Sequence, residues 1–134
     1  MNFRELEGVY GIFYEPEKNP SSLSDWYTSV RDLSLDELDV GDVCRCIRQD
    51  VFVSDVLPFA ISMLHEDVLA GDFYDGELVT APARLGERFW RLHVEELASI
   101  AHLLHEVLNL SDDKQLHEDV SKMINLIHDL RVSE

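Results

Sequence analysis

The sequence predicts a mainly α protein, a single-domain compact helical bundle of about five to seven helices spanning residues 1–134. Three observations lead there. Apolar residues recur at helical spacing, most clearly at Leu116, Val120, Met123, Ile127 and Leu130 (i, i+4, i+7, i+11, i+14). Ser or Asp stands where each apolar stripe begins, as a helix N-cap should. Strand-like character is confined to EGVYGIFYE, which is aromatic and glycine-punctuated and reads either as a short strand near residues 8–14 or as an irregular segment packed on the core. A chain of 134 residues buries roughly two thirds of its unfolded surface, enough for a core without metal or disulfide.

The elements follow in order. EPEKNPSS reads as a loop from its Pro, Asn and Ser content. Ser24 is the expected cap of a short helix that buries Trp26, Tyr27 and Val30. Ser34 and Glu37 have capping-box spacing, so Asp36–Leu38 should form one helical turn. Gly41 should break that turn, and Asp42 should cap a helix to Gln49 with Val43, Cys46 and Ile47 inward. Ser54 should cap the next helix, with Pro58 in or near its first turn, where a missing N–H is harmless. That helix should end near Asp67 and, being apolar almost all round, should be central. Asp75 should cap a helix limited by Pro82, with Leu78 and Val79 inward. Residues 87–108 predict one long helix with Leu92, Leu97, Ile100, Leu104, Val107 and Leu108 near one face. Ser111 should cap the last helix, where Asp112 and Asp113 suit the positive end of its dipole.

Twenty-seven Asp and Glu against eleven Lys and Arg give a net charge of −16. Such a field disfavours direct binding of nucleic acid or anionic lipid and draws in cationic partners. The charge is uneven: −3 over residues 1–30, −9 over 31–80 and −4 over 81–134. The apolar runs fall short of the roughly 18 residues of a membrane span. Cys44 and Cys46 are two apart, on different sides of a helix and poorly placed to bridge each other. With no secretory apolar core after Met1, a cytoplasmic, reducing setting is expected.

The densest acidic stretch is HEDVLAGDFYDGELV, residues 65–79. A calcium loop with Gly71 at its sixth position would place Val68 and Ala70 at positions 3 and 5, where side-chain oxygens are needed. His102 and His105, three apart beside Glu106, could supply two zinc ligands, but they also fit a polar stripe with Glu95 and Ser99. CRC lacks the second cysteine pair of a zinc site. No phosphate-binding glycine loop, nucleophile elbow or Walker lysine is present. The expectation is therefore a non-enzymatic binding protein without cofactor or metal. Glu66, Asp67, Asp72, Tyr74, Asp75 and Glu77 are the candidate partner-binding residues, because aromatics beside carboxylates suit a basic protein surface. Phe73 is expected to pack inward and hold the loop.

Residues 31–90 carry a further signal. An L-S-x-x-E/D-L turn precedes a helix ending in Arg48 and Gln49. A hydrophobic segment with Pro58 runs through Leu64. E-D-x-L-A-G-D-F-Y-D-G-E-L follows over 66–78, and Phe89–Trp90 closes the block. In this order the features resemble the immunity proteins of contact-dependent growth inhibition (CDI), the CdiI type found beside CdiA toxins. The family pattern reads G-D-L-L where this chain has Gly76, Glu77, Leu78 and Val79, and continues the helix where this chain has Ala81 and Pro82. The resemblance implies a small cytoplasmic protein that neutralises a cognate CdiA C-terminal toxin domain, often a nuclease with a basic cleft, and it implies no catalytic residues. An acidic face covering that cleft is the expected mechanism. The alternative is an acidic helical adaptor for some other basic protein.

Overall fold

The computed structural model describes residues 1–14 and 21–132, with side chains through Leu130. The chain divides into two compact units, Met1–Asp39 and Val40–Glu134.

The first unit opens with helix α1, Phe3–Tyr10. The Asn2 side chain accepts the Glu5 N–H at 2.9 Å and caps it. Gly11 ends it in the left-handed region at φ 68°, a conformation that glycine adopts without a Cβ penalty. The strand expected near residues 8–14 is thereby corrected: Gly8, Val9 and Tyr10 complete a helix, and Ile12–Tyr14 join no sheet. Phe3, Leu6 and Glu7 explain the difference. They lie at i, i+3 and i+4 and are all buried, a helical spacing that the aromatic content masks. The predicted loop at residues 15–22 falls largely outside the described residues.

Helix α2 spans Ser22–Val30. Its cap is Ser21 rather than Ser24. The Ser21 hydroxyl accepts the Ser24 N–H, and the Ser24 hydroxyl accepts the Ser21 N–H. A 3-10 turn follows at Leu35–Glu37, with the Ser34 N–H donating to Glu37 Oε1 at 3.2 Å as the capping-box spacing predicts. The hub of this unit is Glu7, only 4% exposed. It accepts from Arg31 Nε at 2.8 Å and from the Tyr27 hydroxyl at 2.5 Å. Tyr27 in turn stacks on Phe3 with centroids 5.5 Å apart. The Arg31 guanidinium first, and the Tyr27 hydroxyl with it, hold the Glu7 carboxyl below the usual range against the upward push of burial.

The second unit contains α3 (Val40–Arg48), α4 (Val53–Glu66), α5 (Glu77–Ala83), α6 (Glu87–Arg91), α7 (Val94–Ser99), α8 (Ala101–Leu110) and α9 (Lys114–Val132). At its centre is α5, which packs against α3, α4 and α9. Glu77, Leu78, Val79, Thr80, Ala81 and Pro82 of this short helix are all buried. The predicted centre, α4, instead packs on α3 and α5, with Phe59 and Met63 half-buried. The predicted stripe of α9 is buried at every position. Asp113 caps that helix, its Oδ1 accepting the Leu116 N–H at 2.9 Å, while the Ser111 hydroxyl accepts the Asp113 N–H one step earlier.

Several element starts differ from the sequence expectation. Gly41 and Asp42 lie inside α3. Phe52, at φ 45°, precedes α4, so Pro58 is that helix's sixth residue. Gly76 rather than Asp75 precedes α5. Among the described residues there are nine α-helices, because the long helix expected at 87–108 is broken into α6, α7 and α8. The chain leaves the helical region at His93 (φ −133°) and again departs from it at Ile100 (φ −104°). Trp90 stays in the core, its indole N–H donating to the Pro82 carbonyl at 3.1 Å. Leu92, expected on the buried face, is 79% exposed. The mainly α class stands. Among the described residues no helix is long and apolar enough to cross a membrane.

Candidate partner-binding surface

The acidic stretch becomes the end of α4, a loop and the start of α5. Glu66 and Asp67 lie exposed where α4 ends, and Asp72, Phe73, Tyr74 and Asp75 lie exposed on the loop. Five of the six expected contact residues are thus accessible. The sixth, Glu77, is 1% exposed. Its Oε1 accepts the N–H groups of Asp72 at 2.9 Å and Phe73 at 3.2 Å, and its Oε2 pairs with Arg48 at the end of α3. Burial pushes this carboxyl up, but the two backbone N–H groups and the Arg48 guanidinium outweigh burial and hold it below the usual glutamate range. Glu77 is accordingly an internal tie between α3, the loop and α5, which corrects its expected place on the surface.

Two glycines make that tie fit. A Cβ on Gly71 would lie 2.0 Å from the Tyr74 carbonyl oxygen and 2.9 Å from Glu77 Cβ. Gly76 has φ 86°, and a Cβ there would meet Leu116 Cδ2 at 2.6 Å. The loop is therefore closed against its own backbone at one end and against α9 at the other.

Phe73 was expected to pack inward and instead is 76% exposed, with the Arg48 guanidinium over its ring at 5.7 Å. Glu77 removes the need for a buried aromatic, because it holds the loop through the backbone. Tyr74 is half exposed and stands beside a groove of about 710 Å³. Ile47, Ala81, Leu85, Phe89 and Leu92 give the groove its apolar lining, and Arg48, Arg84, Arg88 and Asp50 its charged groups. Tyr74, Thr80 and Arg84 also border a smaller hollow that contains Asp75 and Asp113. Sequence reading missed this groove. The available signal was RLGERFWRL, residues 84–92, where three Arg and one Glu give +2 within a chain of −16. The net −4 of residues 81–134 concealed it.

The groups considered for chemistry are dispersed. Cys44 and Cys46 are both fully buried, and burial pushes each thiol up to about 12, assisted at Cys44 by the Glu77 charge. His102 faces His65 across 5.7 Å, and both are exposed. Among the described residues no group of three or more histidine, cysteine, aspartate or glutamate side chains could hold a metal ion. The Ser54 hydroxyl lies 3.2 Å from His93 Nε2, but Glu96 is 3.8 Å from Nδ1 and Ser54 does not line the groove.

An all-α chain with exposed acids, exposed aromatics and an arginine-bordered groove has the makings of a protein-binding module. The family model of CDI immunity proteins matches residues 10–100, and the chain belongs to that family. The comparison with curated proteins gave no match. Family membership implies a non-enzymatic inhibitor role toward a CDI toxin.

Proposed function

We propose that this protein binds and neutralises the cognate C-terminal toxin domain of a CdiA-type effector in the cytoplasm, covering a basic active-site surface such as that of a nuclease. Family membership over residues 10–100 carries the reading. The acidic mechanism draws support from Glu66, Asp67, Asp72 and Asp75, all exposed and gathered with Tyr74 within ten residues of chain. Carboxylates so placed steer a cationic partner and are screened by salt.

The test is co-expression with the C-terminal domain of the neighbouring toxin gene, scored by growth and by co-purification. Growth rescue with a stable complex is the expected outcome. Asp72→Lys with Asp75→Lys should slow association, and added salt should slow it in the parent. A toxic neighbour that is neither bound nor neutralised would reject the reading in favour of an adaptor for another basic protein. Association indifferent to both salt and charge reversal would reject the acidic face while leaving the immunity role in place.

A further inference from the structure

The groove between the end of α3, the 72–75 loop, α5 and α6 has a sign opposite to that of the molecule. Of the charged side chains lining it, three are arginines and one, Asp50, is acidic. Arg48 is committed to Glu77. Arg84 and Arg88 are exposed and make no ion pair among the described residues. Arg84 is the C-cap of the buried helix α5 and Arg88 lies in the single turn of α6, which Trp90 anchors in the core. Between and beside them lie apolar surfaces that a free protein gains nothing by exposing: Leu92 at 79% and Tyr74 at 50%, with Phe89 half-buried. Arginine and aromatic side chains around an apolar hollow are the composition of interface anchor sites.

We infer that this groove receives an acidic segment of the toxin partner, one apolar side chain seated against Phe89 and Leu92 and flanking carboxylates held by Arg84 and Arg88. The inference rests on the immunity reading above. Charge complementarity selects the occupant. Arginine's planar fork matches a carboxylate in a bidentate pair. A nucleic acid strand entering the groove would run its phosphates past Asp50 within it and Asp75 in the adjoining hollow, on a chain of net −16. A short acidic segment on an otherwise basic protein meets attraction on both counts, carboxylates to Arg84 and Arg88 and the surrounding basic surface to the acidic rim. The two contacts then have separate kinetic roles. Rim charges govern encounter, whereas charge pairs desolvated inside the groove govern escape.

The experiment measures association and dissociation rates of the full-length protein with its cognate toxin domain by surface plasmon resonance. Arg84→Gln with Arg88→Gln should speed dissociation about tenfold or more while changing association little. Leu92→Ala should also speed dissociation. All three side chains are exposed, so thermal melting should match the parent and separate lost contact from lost fold. Replacing acidic residues of the toxin by lysine should restore slow dissociation to Arg84→Glu with Arg88→Glu. If the parent binds tightly and both the double arginine variant and Leu92→Ala dissociate at the parental rate, the groove inference is overturned and the immunity role survives. If the parent binds no toxin, that role fails and the inference with it. Capture of a single-stranded oligonucleotide by the parent, lost in the double arginine variant, would overturn the inference by assigning the groove to nucleic acid.

Discussion

Glu77 shows how a residue's type can mislead about its place. It stands in a run of carboxylates yet is nearly inaccessible, because three donors converge on it. Removing one partner of a buried charged pair leaves the rest of the network uncompensated. Glu77→Ala should therefore cost about 3 kcal/mol in chemical denaturation. Glu77→Gln retains an acceptor for the Asp72 and Phe73 N–H groups and should cost less. Equal losses would show that the ion pair, rather than the backbone hydrogen bonds, dominates. The same carboxyl sets an acid limit. Its folded pKa lies below the unfolded one, and so does that of Glu7. A depressed carboxylate contributes stability that is fully present above its unfolded value, near 4.5, and is lost as pH falls through the folded value. Stability of the parent should decline below that value, and Glu77→Gln should flatten the decline.

At the scale of elements, the loop between α4 and α5 depends on a glycine with no room beside it. Gly71→Ala forces a methyl toward the Tyr74 carbonyl, a backbone atom that cannot rotate away. We expect a destabilisation of at least about 2 kcal/mol and weakened toxin binding together, since the loop carrying Asp72–Asp75 must shift. Unchanged melting in Gly71→Ala would mean the loop relaxes freely. The helices were legible wherever an apolar stripe was long. The α9 stripe and most of the α4 stripe are where periodicity places them. Starts were less legible, since Ser21, Gly76 and Asp113 outcompeted nearby residues of similar capping ability. Residues 87–108 misled because Leu92 continues an apolar face, whereas the break at His93 turns it outward. Of the candidate site, the exposed acids and Tyr74 were readable from composition. Phe73 and Glu77 were exchanged, in and out, because pairing across twenty-nine positions to Arg48 leaves no local trace.

For the whole molecule, the expected single domain remains our proposal beside the two units seen in the fold. A segment as short as Met1–Asp39 is near the size below which chains need a disulfide, metal or partner to stay folded. We expect one calorimetric transition for the full chain, with the van't Hoff and calorimetric enthalpies equal. Two transitions would assign the units independent stability. The molecular charge bears on this as well. A net −16 opposes compaction through self-repulsion, which moderate salt relieves, so the melting temperature should rise with salt.

The tie at Glu77 has a consequence for how such a protein can change. It secures the loop from beneath through the main-chain N–H groups of Asp72 and Phe73, so the exposed side chains of Phe73, Tyr74 and Asp75 are not what ties the loop to α3 and α5. Their identities are free to be exchanged while the platform stays put. With the loop as the toxin-binding face proposed above, a lineage facing an altered toxin can rewrite this lettering without rebuilding the page.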